Sequence, residues 1–251
     1  MKNKTGPLVS ISFDDAYGNQ HRHGLCLMEK YGFLGTLGVV TGKVGQTYSH
    51  TPEWQVESMT WEQIDNFVKA DWEIASHSRF HRSVDNEFLR GPYAKLTREE
   101  LDDEIVGSRR DLEEHGYSPA TFIRPGSFFQ NPLTIPEIEL VKSYYLTRRL
   151  YYSGVYTPAQ PLLNSLTFPL PYDLMATHLI SYPKLETDLK RLFSSMSEDH
   201  WLIFCVHGID ANLGGSATIT PQDFEMTLKL IRAHKINVAT IGEIAAYRRF
   251  D

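Results

Sequence analysis

Asp14 and Asp15 stand side by side after the apolar run Leu8–Phe13. His77 and His81 follow a second apolar run at i, i+4 spacing, and His207 closes a third. A hydrolytic metal site needs a few imidazole or carboxylate donors converging on one point, with a position left for water. The reaction also needs a carboxylate base beside that water and an acid beside the leaving group. The i, i+4 spacing predicts His77 and His81 on one face of a helical turn, where two imidazoles can share a cation. Of two adjacent aspartates, one can ligate while the other stays free as base. Histidine is the side chain best poised to protonate a leaving amine at neutral pH, which suits His207.

Each feature alone also fits an ordinary structural role. Paired aspartates serve turns and helix caps, an HxxxH pair is weak in a chain with ten histidines, and a strand-end histidine can be a satisfied core residue. Their shared placement is the stronger signal. Asp14-Asp15, His77, Arg124 and His207 all fall where a strand should end, and parallel α/β folds collect functional groups beyond the carboxyl ends of strands.

The elements that must position them alternate. Strands are expected at Leu8–Phe13, Leu34–Val40, Trp72–Ser76, Thr121–Ile123, Tyr144–Thr147, Leu166–Phe168, Ala176–Ser181, Trp201–Val206 and Ile236–Thr240. Helices are expected at Gly18–Tyr31, Thr60–Ala70, Thr97–His115, Ile135–Ser143, Leu185–Met196 and Pro221–His234. Thr60 with Gln63 and Thr97 with Glu100 are capping boxes, and Pro221 suits a first helical position. Trp61, Ile64, Phe67 and Val68 fall on one helical face. Lys43–Met59 lacks periodicity and reads as a long loop, of the kind that forms lids and binding edges. Alternation without a composition break or linker predicts one parallel α/β domain over residues 1–251.

Composition narrows the function. The 251 residues carry a formal charge of −6, and 41% are hydrophobic, an ordinary globular balance with no basic footprint for nucleic acid. The pairs Arg148-Arg149 and Arg248-Arg249 read as solvated faces or local ion pairs. Cys26, in a helix, and Cys205, in a strand, read as two buried thiols rather than a disulfide. No apolar run reaches the roughly 18 to 20 residues of a membrane span, and the opening residues lack an apolar leader; a cytoplasmic location is the expectation.

The ordered set SFDD, EIASHSRFH, FIRPG and LIFCVH, spanning Leu8 to His207, resembles the NodB-homology polysaccharide deacetylases of carbohydrate esterase family four. That resemblance implies a distorted (β/α) barrel with about seven parallel strands. It implies Asp14 as catalytic base, with Asp15, His77 and His81 as metal ligands. Arg124 would hold the base aspartate, and His207 would be the general acid. The cofactor implied is one divalent metal, zinc or alternatively cobalt, nickel or iron. The family's Arg-x-Pro-Tyr motif is here Arg124-Pro125-Gly126-Ser127, so the oxyanion donor is the amide of Gly126 or of Ser127. The family's Asp-Trp motif, which tunes the acid histidine, has no clear counterpart; Asp173 is the candidate. Cys205 replaces the leucine usual two residues before that histidine.

The expected activity is hydrolysis of the acetamide of an N-acetylated sugar or polysaccharide. Two alternatives remain at this level: a small amide, imide or formamide hydrolase of the same superfamily, and a non-catalytic carbohydrate-binding module. Phe128-Phe129, Tyr151-Tyr152, Trp54 and Tyr172 are candidate platforms for a sugar ring.

Overall fold

A computed structural model of the chain describes residues 6–51, 54–82, 95–127, 132–152, 156–167, 170–210 and 217–247. The expected strand–helix alternation closes into a barrel. The strands in chain order are β1 (Leu8–Phe13), β2 (Thr36–Val39), the hairpin β3 (Thr47–Thr51) and β4 (Trp54–Glu57), and β5 (Glu73–Ser76). They continue with β6 (Thr121–Ser127), β7 (Thr147–Tyr151), β8 (Leu163–Ser165), β9 (Leu174–His178) and β10 (His200–Val206). Seven of them, in the order β1-β2-β5-β6-β7-β9-β10, pair in parallel, and β10 returns to β1 to close the ring. Outside the ring, β8 pairs antiparallel with β10, and Asn237–Val238 pairs with the start of β1.

The strands are apolar because a closed parallel barrel buries both faces. Every residue of Leu8–Phe13 is buried, as are Trp201–Val206. The helices pack one apolar stripe outside the ring. Trp61–Lys69 starts at the Thr60–Gln63 capping box and buries Ile64 and Phe67. Val68, expected on the same face, is 40% exposed. Phe13 and Phe67 then pack on Trp72 with ring centroids 4.9 Å away in each case, Phe67 edge to face and Phe13 tilted. The Thr97 box and the Pro221 helix start also form as expected.

Several boundaries differ from the sequence expectation. Lys43–Met59 is no open loop, since much of it is the β3–β4 hairpin. β7 begins where the Tyr144–Thr147 strand was expected to end, so Arg148 and Arg149 lie inside it. The strand expected near Leu166–Phe168 lies at Leu163–Ser165, β9 ends at His178 rather than Ser181, and Ile241–Tyr247 adds a short helix. β6 runs on through Ser127, with a register slip between Ile123 and Ser127 where Gly126 takes φ +71°. Among the described residues, no helix is long and apolar enough to cross a membrane.

Candidate active site

Strand register brings the chemistry together. β1 and β10 pair Phe13 with Val206, and the Asp14 amide donates to the Val206 carbonyl at 3.0 Å. Asp14 and His207 are therefore the next residues on adjacent strands. β2 and β5 pair Val39 with Ser76, which puts His77 at the same end of the barrel. Gln20, fully buried in a π-helical turn at Gln20–Leu25, ties these ends together. Its amide donates to the backbone oxygens of Asp14 (2.6 Å) and His207.

Asp15, His77 and His81 converge. Asp15 Oδ1 lies 3.5 Å from His77 Nε2 and 3.3 Å from His81 Nε2, and one donor atom from each residue falls within 4.8 Å of the others. Asp15 and His77 are 3% and 2% exposed, yet Asp15 Oδ1 and His77 Nε2 carry no hydrogen bond. Leaving buried polar atoms unsatisfied costs roughly 1–3 kcal/mol each. A cation at their meeting point removes that cost. His77 Nδ1 meets the Ile123 carbonyl at 2.8 Å; that contact places the ring proton on Nδ1 and turns the Nε2 lone pair toward Asp15. Burial pushes the Asp15 carboxyl up, but the imidazoles of His81 and His77 outweigh it and hold it well below the usual range. One carboxylate and two imidazoles, buried and mutually oriented, fit a divalent cation.

The two histidines do not share a helical turn, which corrects the sequence expectation. His77 follows the last residue of β5, and the loop bends on through Ser78 (φ +63°) and His81 (φ +57°). Among the described residues, four of the six non-glycine residues with positive φ, namely Asp15, Ala16, Ser78 and His81, sit in the loops that follow β1 and β5. Such backbone costs of order 1 kcal/mol or more per residue and persists only where the surroundings fix it. Here Ser78 Oγ accepts from the His81 amide at 3.0 Å, and the buried Glu104 accepts from the Arg79 and Phe80 amides. Arg79 is further held by Asp103 and Asp111. Gly42 lets its backbone donate to the Arg79 carbonyl at 2.8 Å; a Cβ there would meet that oxygen at 2.7 Å.

The arginine expectation is overturned. Arg124 pairs with buried Glu137 at 2.5 Å and 3.1 Å. Asp14 is instead held by Arg149, whose Nη2 donates to both carboxylate oxygens. The reason is register: side chains alternate along a strand, and Arg149 from the fully buried part of β7 is the one aimed at Asp14, while Arg124 on β6 is aimed at the helix Ile135–Tyr144. Ser12 also donates to Asp14 at 2.9 Å. Burial raises the Asp14 pKa, but Arg149, His77 and His207 together bring it down to about 2. Arg148 pairs with Asp173 at 2.9 Å. The two arginines are thus ion-paired and buried, not solvated, and Asp173 is committed away from His207. Arg248-Arg249 lie outside the described residues.

His207 meets His178 Nε2 through its Nδ1 at 3.3 Å, and Tyr151 Oη meets His178 Nδ1 at 3.2 Å. Cys205 donates to Asp14 at 3.2 Å. Asp14, Cys205 and His207 form a second group of mutually close donors. It suits a cation poorly, because Arg149 already neutralises Asp14, and burial followed by the Asp14 charge pushes the Cys205 thiol well up. Cys205 is buried as expected, whereas Cys26 is exposed, and both are free.

Of the aromatic candidates, Tyr151 lies at the site, its ring 5.7 Å from that of His207, and Tyr152 packs on Tyr156. Tyr172 lines a cleft with Ala120 and Leu146, at the opposite end of the strands. Phe128-Phe129 and the Trp54 side chain lie outside the described residues. Sequence reasoning missed Arg149, His178 and Gln20, and took Tyr151 only as a candidate sugar platform; of these, His178 carried a usable signal, its place at the end of a strand.

A family model described as polysaccharide deacetylase matches residues 1–141. Among solved structures, the carbohydrate esterase family 4 domain of a multidomain xylanase from the hindgut metagenome of Trinervitermes trinervoides aligns with TM-score 0.61. It is 13% identical, over 98% of this chain and 92% of that one. A family 4 acetyl xylan esterase from Clostridium thermocellum, in complex with a cobalt ion, aligns with TM-score 0.58 and 14% identity, over 97% and 93% of the two chains. A mutant of the peptidoglycan deacetylase PdaC from Bacillus subtilis aligns with TM-score 0.56 and 13% identity, over 99% and 95%. At these identities the likeness is one of fold. No curated protein sequence matches the chain.

Proposed function

Because the chain belongs to the polysaccharide deacetylase family, we propose that it hydrolyses the acetamide of an N-acetylated sugar at one divalent cation. Asp15, His77 and His81 would hold the cation. The observation that carries this reading is the buried meeting of those three side chains, with Asp15 Oδ1 and His77 Nε2 unsatisfied, beside Asp14 and His207. Zinc is the metal we propose, with cobalt, nickel or iron accepted by the same donors. A bound cation would polarise the acetyl carbonyl and acidify the attacking water.

The protein's own groups then divide the work. Asp14 is ionised at every working pH and takes the proton of the attacking water. Held at about 2, it is a weak base, so its contribution is placement: Arg149 and Ser12 fix the carboxylate, and an aligned acceptor is worth far more than a mobile one. His207 gives a proton to the departing nitrogen as the C–N bond breaks, and acetate leaves. Asp14→Asn should abolish turnover and leave metal content unchanged. A substrate panel read for acetate, formate and ammonia tests the substrate class. Acetate from N-acetylglucosamine oligomers supports the reading; formate or ammonia from small amides, with no acetate from any sugar, overturns it.

A further inference from the structure

We propose that His178, backed by Tyr151, is the positioning residue for the acid His207, doing with a neutral imidazole what a carboxylate would otherwise do. The proposal rests on His207 being the general acid of the deacetylase reading. Three side chains from three adjacent strands form an unbroken line: Tyr151 Oη to His178 Nδ1 at 3.2 Å, and His178 Nε2 to His207 Nδ1 at 3.3 Å. The rings meet edge to face, His178 with His207 at 79° and Tyr151 with His178 at 85°. β7–β9–β10 pairing fixes their order, and Cys205 pairs with His178 across the sheet. His178 is 3% exposed, and its amide is bound to the Tyr156 carbonyl at 2.7 Å, so the ring has little freedom.

Among the described residues, no carboxylate takes this place. Asp173 is engaged by Arg148. The groups facing His207 are Asp14, with Arg149 behind it, Cys205, His178 and Tyr151; Asp15 acts on it from farther away. Burial, followed by the neighbouring His207, pushes the His178 pKa down to about 3, so His178 is neutral whenever His207 works. In the acid form, His207 carries a proton on each nitrogen. Its Nδ1–H donates to His178 Nε2, and the His178 Nδ1–H donates to Tyr151 Oη. The Nε2–H bond of His207 then breaks toward the leaving nitrogen, which receives the C–N bond pair, and His207 ends neutral with its Nδ1–H bond intact. His178 gains and loses no proton. It fixes which nitrogen of His207 faces the substrate.

A neutral partner stabilises an imidazolium less than a carboxylate does, which makes the proposal testable by pH. The purified, metal-loaded protein and its variants should be assayed on N-acetylglucosamine oligomers, whose amine cannot leave unprotonated, and on p-nitrophenyl acetate, whose phenolate can. For His178→Ala, kcat on the oligomers should fall roughly 10–100-fold with KM unchanged, and the ratio of amide to aryl-ester turnover should fall at least about tenfold. His178→Gln, which can still accept at the same place, should recover part of that ratio. His178→Asp should move the basic limb of the oligomer pH profile up by roughly one to three pH units. Tyr151→Phe, which leaves the core filled, should lower the ratio less. Equal losses on both substrates, or a basic limb unmoved in His178→Asp, would overturn the proposal. If the unaltered protein is active and His207→Asn is dead while every His178 and Tyr151 variant behaves as the parent, the inference alone fails. If the unaltered protein releases no acetate from any sugar, the underlying reading fails with it.

Discussion

Replacing Arg149 with Met removes a charge and keeps most of the buried stem. Asp14 would then lie fully buried without the guanidinium that grips both its oxygens. Two unit charges about 4 Å apart in an effective dielectric of about 20 attract by roughly 4 kcal/mol, equivalent to about three pH units. The Asp14 pKa should therefore climb from about 2 to roughly 5. Removing one partner of a buried pair also destabilises by roughly 3–5 kcal/mol, so Arg149→Lys, which keeps the charge, is the folded control. The assay is kcat/KM for acetate release across pH, with urea unfolding in parallel. Arg149→Met should show a new acid limb near pH 5, roughly, and a far lower plateau; Arg149→Lys should keep the parent limb. Arg124→Met should cost similar stability through Glu137 and leave the acid limb in place. The reasoning is refuted if the limb stays put in folded Arg149→Met, or if Arg124→Met moves it.

Acid stability follows from two groups. Asp14 falls from a usual 3.8 to about 2, so its stabilisation is complete above pH 3.8 and is lost as pH drops through about 2. His178 falls from 6.5 to about 3, so the unfolded chain binds its proton first. Stability should rise with pH between about 3 and 6.5 by roughly 5 kcal/mol from this residue; a flat urea midpoint over that window would refute the assignment. Gly42→Ala should weaken metal retention at least about tenfold by pushing the Arg79 carbonyl and the His81 loop, a strain of roughly 1–3 kcal/mol, read by dialysis against chelator; unchanged retention would clear Gly42. A thiol reagent should label Cys26 at once and Cys205 only on unfolding; rapid labelling of both in the native protein would contradict the buried placement of Cys205.

The parts legible in the sequence were those with local signatures. The capping boxes at Thr60 and Thr97, the apolar runs of β1 and β10, and the acid and imidazole residues at strand ends all depend on neighbours within a few positions. Arg149 was not legible, because a charged pair reads as solvent-facing and only the barrel's closure makes that stretch of β7 a core strand. Moving the strand from Tyr144–Thr147 to Thr147–Tyr151 is what turns a surface arginine into the partner of Asp14. His178 and Tyr151 meet only through pairing of β7, β9 and β10, a long-range fact with no trace in spacing. The i, i+4 rule picked two histidines that do converge with Asp15, but on the wrong geometry, since loop backbone at positive φ, not a helix, brings them together.

The central claim is that Asp15, His77 and His81 share one cation. Crystals grown with zinc or cobalt, measured at the metal's absorption edge, test it directly. The account predicts one anomalous peak per chain, about 2 Å from Asp15 Oδ1 and from one nitrogen each of His77 and His81, and its loss in Asp15→Asn. No peak at that point, or a peak held instead by Asp14, Cys205 and His207, would contradict it.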